Sequence, residues 1–411
     1  MPTPSLLIVP ARFKTGKLYS QIPTSGAGDF TVTRNTEARR FDSAGLVASV
    51  ASGIPRLDYF TSGGVTGCPA LLVEPAATNL LLQSEAWNVS PWVATSGSQG
   101  ATVSGNVTTS PDGTTNADKL IEAAVTGSHF CLQSLTLTSG TTYTASFFVK
   151  ASERTRGRLR TSGLGAYWDL DFNLTSGTVT GGTNPFIQNF GNGWYRIGAT
   201  FTANQASNNF ILFLLDASGN PSYTGNGTNG LFVYGAQIET GSVATSYIPT
   251  TAGTGSRSGD VISVTGAVSG SIGQTEGVLY IECEANNIED DVFFINRSVA
   301  NGIALYKNAS NAYIGRIFHS SASILFTSAS NITGMVKIAI AYKSGDSTMY
   351  LNGSRVGTLN TTAITFNAAL NSLVIEKTAG FISGFKPNRI RAVALYNTRL
   401  TDAELATLTT P

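Results

Sequence analysis

The chain has 411 residues, of which 42% are hydrophobic and 12% are charged, and its formal net charge at pH 7 is +1. This length suits two or three domains with apolar cores. A net charge near zero without a basic stripe excludes nucleic acid as an expected partner, and no apolar run approaches the roughly 20 residues of a membrane span. The 44 glycines and the many Ser, Thr and Asn residues favour short strands and tight turns over long helices.

Residues 1–80 are predicted to form an extended arm without a core of its own. Seven prolines interrupt this segment, and its apolar pieces, residues 6–9, 46–50 and 71–73, are short. Such pieces bury too little surface to fold alone. A disordered tail is the alternative, but the aliphatic and aromatic content favours an arm that becomes ordered against neighbouring chains. Pro10 ends the first apolar run before it reaches signal-peptide length, so we expect folding in a cytoplasm.

Residues 81–250 show the alternation of exposed and buried positions that is typical of strands. Tyr143, Ala145, Phe147 and Val149 share one predicted face and Thr144, Ser146 and Lys150 share the other; Ile197, Ala199 and Phe201 alternate likewise with Arg196 and Thr200. Residues 210–215 are apolar throughout, which predicts a strand covered on both faces, either by its own chain or by another subunit. Regular strands punctuated by turns indicate a β-sandwich of the jelly-roll kind.

Residues 251–411 repeat the strand pattern after a Gly/Ser/Thr-rich linker, residues 250–259. Leu279, Ile281 and Cys283 alternate with Tyr280, Glu282 and Glu284, which again predicts a strand with one buried face. Asn352-Gly353 predicts a type I′ turn, and Thr401 followed by Glu404 predicts a capping box that opens a short helix. The sequence therefore predicts an all-β protein: an extended N-terminal arm, residues 1–80, followed by two β-sandwich domains, residues 81–250 and 251–411.

Residues with catalytic chemistry are few and far apart. The two histidines, His129 and His319, lie in no nucleophile or metal-ligand pattern. The three cysteines are widely spaced, which predicts buried thiols in a reducing compartment. Glu282 and Glu284 share one predicted strand face about 7 Å apart, as the acids of concanavalin-like glycosidases do. Position 286, the next on that face, holds Asn instead of a third acid, so we expect a solvent-facing pair, no enzyme activity, no metal and no cofactor.

Aromatic side chains are the candidates for ligand contact. Tyr167 and Trp168 follow the flexible pair Gly163 and Gly165 and are the residues that we assign to a glycan surface. Packing at the edge of a core is the alternative for both.

Three groups of residues resemble tailed-bacteriophage structural proteins. The first comprises residues 34–41, 54–59 and 68–80, which look like a virion-proximal arm. The second, residues 235–239 and 245–250, resembles the closing strand of a carbohydrate-binding-module-like jelly roll. The third, residues 350–356 and 390–408, is similar to the end of concanavalin A-like or laminin-G-like domains.

The resemblance implies a virion protein of the tail fibre or spike type on the exterior of the particle. Its expected partners are other virion proteins through the arm, copies of itself in a homotrimer, and host-surface glycans. A head fibre or capsid decoration protein is an alternative of the same class. A polysaccharide depolymerase and a bacterial adhesin are alternatives of other classes, and the adhesin would require an export signal.

Overall fold

The computed structural model describes residues 2–61, 64–94, 100–163, 166–266, 268–285, 291–295, 301–308, 310, 312–320, 322–332, 334–376 and 388–411. The prediction of an all-β protein is confirmed, since the described residues form 35 strands and a single helix. That helix has eight residues, and no helix in the described ranges has the length and apolarity to cross a membrane.

The strands of the first 80 residues are short. They are β1 (Leu6–Ile8), β2 (Phe13–Lys14), β3 (Lys17–Leu18), β4 (Phe30–Thr33), β5 (Ala38–Phe41), β6 (Val47–Val50), β7 (Leu57–Thr61), β8 (Gly64–Val73) and β9 (Ala77–Asn79).

The next strands form the jelly roll. They are β10 (Val93–Ala94), β11 (Ala101–Thr108), β12 (Ala117–Glu122), β13 (Thr126–Ser128), β14 (Phe130–Thr136), β15 (Thr142–Ala151), β16 (Arg156–Gly163), β17 (Ala166–Asn173), β18 (Thr178–Gly181), β19 (Thr183–Gly191), β20 (Trp194–Thr202), β21 (Ser207–Leu214), β22 (Ser222–Thr224) and β23 (Gly230–Thr240).

The last strands belong to the C-terminal sandwich and its approach. They are β24 (Gly255–Arg257), β25 (Val261–Thr265), β26 (Glu276–Ala285), β27 (Asp291–Ile295), β28 (Gly302–Lys307), β29 (Tyr313–His319), β30 (Ala322–Thr327), β31 (Gly334–Lys343), β32 (Thr348–Leu351), β33 (Ser354–Arg355), β34 (Ser372–Glu376) and β35 (Asn388–Tyr396), with helix α1 (Asp402–Thr409) after them.

The jelly roll consists of two six-stranded sheets packed face to face. The near sheet has the strand order β11-β12-β23-β15-β20-β19, and the far sheet has the order β10-β14-β21-β16-β17-β18. The predicted inward face of β15 is confirmed, because Tyr143, Ala145, Phe147 and Val149 are buried in the core between the sheets. Leu159 of the far sheet lies in the same core. All twelve strands come from one continuous stretch of chain, as a self-contained sandwich requires.

The second sandwich is built from both ends of the chain. One sheet has the order β33-β32-β31-β26-β35-β8-β7 with β1 beside β35, and the other has the order β2-β3-β4-β25-β34-β27-β28-β29-β30. In β1, Leu6 lies opposite Leu395 and Ile8 lies opposite Val393. The jelly roll is therefore inserted, in sequence, between two parts of one sandwich.

This pairing corrects the prediction of an extended arm that becomes ordered against neighbouring chains. Leu6, Ile8 and Leu71 are buried in the core of the C-terminal sandwich of their own chain. The segment lacks a local core, as its short apolar pieces indicate, but it finds its partners more than 300 residues away in the same chain. The boundaries at residues 80 and 250 stay a prediction.

The predicted linker, residues 250–259, is also ordered. Strand β24 pairs with β9, and Arg257 is buried and forms an ion pair with Glu74 across 2.8 Å. Composition does not indicate this order, because the segment is held by its pairing with β9 and by the buried charge of Arg257.

Two local predictions near the C-terminus are confirmed. Asn352 and Gly353 both have positive φ angles, 47° and 82°, as a type I′ turn requires. Thr401 caps helix α1, with its side chain accepting from the Glu404 amide and the Glu404 carboxylate accepting in return.

Candidate functional site

A cleft of about 520 Å³ lies where the N-terminal segment meets the near sheet of the jelly roll. The sheet forms its floor through β15, β19 and β20. The N-terminal segment forms the opposite wall through β5 and β7. Residues 242–247 close one side, and Arg389 of the C-terminal sandwich reaches the cleft as well. A concave site at a junction of this kind is a common place for ligands to bind.

The floor follows from the alternation of strand β20. Ile197, Ala199 and Phe201 face the core between the sheets, so that Arg196 and Thr200 face the cleft. This is the alternation that the sequence predicts for these residues.

Strand β19 lies at the edge of the near sheet and presents three side chains to the cleft. Phe186, Gln188 and Phe190 line it, whereas Ile187 packs against the core. Phe186 is half-buried. A Cβ atom at Gly198 would lie 2.8 Å from the Cζ atom of Phe186 and 2.3 Å from the Ala145 carbonyl oxygen, so only glycine at this position leaves room for the ring.

The base of the cleft is a cluster of phenylalanine rings from three parts of the chain. The Phe190 ring lies 5.4 Å from the Phe41 ring, 4.8 Å from the Phe60 ring and 5.1 Å from the Phe148 ring, centroid to centroid. The contacts of Phe190 with Phe41 and Phe148 are edge-to-face and its contact with Phe60 is tilted; ring packing of this kind favours one fixed arrangement. The cluster therefore joins the jelly roll to the N-terminal segment and fixes the cleft between them.

Arg196 is the buried cation of the floor and is 5% exposed. One terminal nitrogen donates to the Thr245 carbonyl oxygen across 2.7 Å, the other donates to Ser146 Oγ across 3.0 Å, and the guanidinium lies 5.5 Å from the Phe148 ring centroid. Its Nε has no hydrogen-bond partner among the described residues. Burial lowers the pKa of Arg196, although Glu239 and Glu74 favour its charged form.

Arg40 faces the cleft from the opposite wall. Its guanidinium donates to the Leu57 carbonyl oxygen. Like Arg196, it forms no ion pair with a carboxylate of the described residues. Each of the two walls thus carries one unpaired guanidinium.

The acids of the cleft are engaged, in contrast. Asp58 accepts from Arg389 Nε across 2.9 Å. Glu74 forms ion pairs with Arg56 and Arg257 and accepts from the Ser246 backbone amide across 2.7 Å. Burial alone would raise the pKa of Glu74, but Arg257 and Arg56 outweigh it and lower the pKa to about 2.

Behind the cleft, a buried ion network connects the N-terminal segment to the residues that follow the jelly roll. Asp260 forms ion pairs with both Arg34, at 3.0 Å, and Arg56. Arg56 in turn forms an ion pair with Glu74 and donates to Ser246 Oγ across 2.9 Å. Burial of paired charges fixes geometry more than it adds stability. This network therefore fixes the position of the N-terminal segment relative to the residues that follow the jelly roll.

A smaller groove of about 190 Å³ adjoins the cleft and shares Arg39 and Tyr247 with it. The carboxylate of Glu37, which is largely exposed, lies 3.3 Å from Arg39 at its rim.

The glycan residues predicted from the sequence lie elsewhere. Trp168 is half-buried on β17 of the far sheet, where its ring packs against the core with its centroid 5.8 Å from that of Phe201. Its indole nitrogen is buried without a hydrogen-bond partner in the described part of the chain. Tyr167 pairs with Ser162 through the backbone, and its side chain lies outside the described residues. Trp168 is not among the described residues that line the cleft, and the assignment of Tyr167 and Trp168 to a glycan surface stays a prediction.

The carboxylates of β26 share a face, as predicted. Leu279, Ile281 and Cys283 are in the core of the C-terminal sandwich, whereas Glu282 accepts from Tyr280 across 3.4 Å and Glu284 lies 3.5 Å from Arg389. Position 286 lies outside the described residues.

The histidines and cysteines are placed as follows. The ring nitrogens of buried His129 lie 2.5 Å and 3.2 Å from the Gly100 and Tyr223 carbonyl oxygens. Cys131 and Cys283 are buried, but Cys68 is exposed, contrary to the prediction of three buried thiols. No three His, Cys, Asp or Glu residues in the described ranges are grouped as a metal site would require.

The sequence analysis missed the residues of the cleft, although one signal was present. The signal is an alternation typical of an ordinary half-buried strand, with Phe186, Gln188 and Phe190 on one face. Nothing local indicates that the exposed face meets residues 38–61, because that contact spans more than 100 residues.

No protein-family model matches the sequence, and no curated protein matches it. Among solved structures, the chain is similar to an SAP-like pentraxin from Limulus polyphemus, with 13% identity, a TM-score of 0.25 and coverage of 32% of this chain and 68% of that chain. It is similar to the CBM40 domain of a Ruminococcus gnavus sialidase bound to α2,6-sialyllactose, with 14% identity, a TM-score of 0.27 and coverage of 33% and 84%.

A further similar structure is domain 4 of an extracellular arabinanase from Geobacillus stearothermophilus in complex with arabinotriose, with 14% identity, a TM-score of 0.29 and coverage of 41% of this chain and 83% of that chain. These TM-scores are too low for the likenesses to support a conclusion about function.

Proposed function

We propose that the protein is a structural protein of a tailed-bacteriophage virion, a fibre or spike subunit that binds host-surface glycans in the junction cleft. The cleft is the observation that carries the binding role. It combines the half-buried ring of Phe186, which can stack on the apolar face of a sugar, with side-chain amides at Asn184 and Gln188. Neither amide is bonded to another described side chain, so both can bind sugar hydroxyls.

The virion role is supported by the resemblance of the sequence to phage structural proteins. Residues from two of the three resembling groups meet in space, since Arg56 and Glu74 of the first group both contact Ser246 of the second. This contact supports the idea that the groups belong to one structural unit. Attachment to tail or head is equally compatible with it.

Anchoring to the particle is proposed for the surface that the N-terminal segment leaves exposed. Val9, directly after β1, and Phe13, in β2, are 41% and 40% exposed, and they can serve as apolar contacts. A homotrimer remains part of the proposal on the resemblance alone.

The proposal includes no catalysis. A glycosidase needs an acid with a raised pKa beside a second carboxylate. The acids that line the cleft, Asp58 and Glu74, are held by arginines, and the pKa of Glu74 is lowered to about 2. These contacts suit binding better than proton transfer.

A glycan array probed with the labelled protein tests the binding role. We expect defined glycans to retain the wild-type protein and the Phe186→Ala variant to lose about fivefold in affinity, because stacking on an aromatic ring contributes on the order of 1 kcal/mol. Leu325→Ala, at an exposed site of β30, is the matched surface control. Equal binding by the Phe186→Ala variant would contradict the assignment of the cleft. Antibody labelling of purified particles under the electron microscope tests the virion role.

A further inference from the structure

We propose that the junction cleft selects acidic sugars, and that Arg40 and Arg196 bind the sugar carboxylate from opposite walls. This inference rests on the proposed glycan-binding function and adds the chemical class of the ligand.

The first argument is the balance of charge around the cleft. Four arginines line it, Arg39, Arg40, Arg196 and Arg389, against two acids, Asp58 and Glu74. Both acids are already in ion pairs, with Arg389 for Asp58 and with Arg56 and Arg257 for Glu74. The cleft therefore has unpaired cations and no unpaired anion.

The second argument is the burial of Arg196. A guanidinium that is 5% exposed has given up most of its hydration. Glu239 and Glu74 favour its charge, but neither carboxylate forms an ion pair with it. Two of its nitrogens are held by Thr245 and Ser146, which keeps the cation in position in the absence of ligand. A carboxylate entering the cleft would supply the direct ion pair that Arg196 lacks among the described residues, in a low-dielectric setting where such an attraction is strong.

The third argument separates a sugar acid from a simple anion. Phe186 is an apolar surface at the cleft, and Asn184 and Gln188 offer amide groups on the same strand, β19. An inorganic anion has no apolar face to place against Phe186. A carboxylated pyranose uses all of them, because it presents an apolar face, several hydroxyls and one negative charge.

The experiment compares acidic sugars with neutral counterparts: galactotriose has a hydroxymethyl group in place of each of the three carboxylates of trigalacturonate, and lactose lacks the sialic acid residue of 3′-sialyllactose. The full-length protein is titrated with trigalacturonate and its carboxyl-reduced counterpart galactotriose, and with 3′-sialyllactose and lactose. We expect the acidic member of at least one pair to bind about tenfold or more tightly than the neutral member, as a charge-assisted hydrogen bond implies. The preference should shrink as the salt concentration rises.

Three charge-neutralising variants identify the cations. Arg40→Gln and Arg196→Gln should reduce the acidic-to-neutral preference at least about fivefold while neutral-sugar affinity changes little. Arg156→Gln, which removes a cation from β16 in the far sheet, should leave the preference unchanged. Arg196 also supports residues 242–247, so the Arg196→Gln variant can fail to fold for that reason. In that case the Arg40→Gln variant alone tests the inference.

The outcomes distinguish the selection of acidic sugars from the glycan-binding function on which it rests. Binding of neutral and acidic members with equal affinity overturns the inference and leaves glycan binding standing. Absence of binding to every sugar of the set and to the glycan array overturns both. A preference for the acid that survives in Arg40→Gln overturns the assignment of the carboxylate to these two walls.

Discussion

Arg34 donates to Asp260 across 3.0 Å, and this buried contact joins residues that are 226 positions apart in the sequence. Asp260 also accepts from Arg56 and from the Glu74 backbone amide. The Asp260 carboxylate, directly before β25, thus binds three separate parts of the N-terminal segment.

Asp260→Asn should be strongly destabilising, because it leaves Arg34 and Arg56 buried without this partner. Breaking a buried ion pair costs about 3–5 kcal/mol, and urea unfolding should report a loss of that size. Asp171→Asn is the control, since Asp171 is 39% exposed in its pair with Arg158 and should cost about 1 kcal/mol or less. Similar losses in the two variants would show that the network contributes nothing special.

The free energy of unfolding should fall as the pH is lowered from about 4.5 to about 2. The pKa of Glu74 is lowered from 4.5 to about 2 in the folded protein, so its contribution is complete above pH 4.5 and is lost as the folded state takes up the proton. The contribution is on the order of 3 kcal/mol. Burial raises the pKa of Glu239, so its protonation stabilises the folded protein as the pH falls toward 4.5, above the range in which Glu74 loses its contribution.

Urea unfolding at several pH values measures this slope. Glu74→Gln should flatten it, whereas Glu37→Gln, at an exposed pair with Arg39, should leave it unchanged. A slope that is the same in the wild type and in Glu74→Gln would mean that other groups control the acid transition.

The N-terminal segment should resist limited proteolysis as well as the sandwiches do. Its strands β1, β4 and β8 are hydrogen-bonded into the C-terminal sandwich. The double variant Leu6→Ala/Ile8→Ala removes two buried side chains and should cost roughly 4–8 kcal/mol. Val9→Ala, at an exposed site, is the control. Cleavage of residues 2–9 from the wild-type protein before the sandwiches are cut would contradict this prediction and indicate a flexible arm.

Gly198→Ala should weaken both folding and glycan binding. The added Cβ atom would lie 2.3 Å from the Ala145 carbonyl oxygen and 2.8 Å from Phe186, so the strand or the ring must move. Overpacking of this kind costs about 1–3 kcal/mol. Thermal unfolding and the glycan titration measure the two effects. Gly191→Ala is the comparison: its Cβ atom meets nothing within 4 Å, but its φ of 80° adds backbone strain. If the glycan affinity of the Gly198→Ala variant is unchanged, Phe186 does not contact the glycan.

Phe213→Asp should unfold the jelly roll and not simply dissociate an oligomer. Phe213 is 8% exposed within a single chain, with the Phe130 ring 5.0 Å away and the Arg160 guanidinium 5.2 Å from its ring centroid. Circular dichroism reports the unfolding, and light scattering of the wild type reports the oligomeric state separately. If the wild-type protein is a trimer and the Phe213→Asp variant is a folded monomer, the face that carries Phe213 is a contact between subunits, and this prediction is wrong.

The sequence predicts local structure well because its signals are local. The alternation of Tyr143 to Val149, the Asn352-Gly353 turn and the Thr401 capping box depend on neighbours in sequence, and all three are confirmed. The strand at residues 210–215 is buried on both faces, and its own chain supplies the cover.

What the sequence could not predict depends on distant contacts. The partners of Leu6 and Ile8, the burial of Arg257 and the cleft around Arg196 all bring together segments that alternation does not relate. Tyr167 and Trp168 drew attention through their aromatic rings, whereas the cleft is defined by where an ordinary strand face meets another part of the chain.

The pairing of β1 with β35 also has a consequence for the timing of folding during synthesis. Ser5 contacts the Leu395 backbone, 390 residues later in the chain. At a synthesis rate of about 5–20 residues per second, the partner of β1 emerges on the order of 20–80 s after it. The jelly roll, whose twelve sheet strands are contiguous, can be complete well before then. Leu6 and Ile8 must therefore wait exposed near the ribosome, which makes the nascent N-terminal segment a natural client for chaperones.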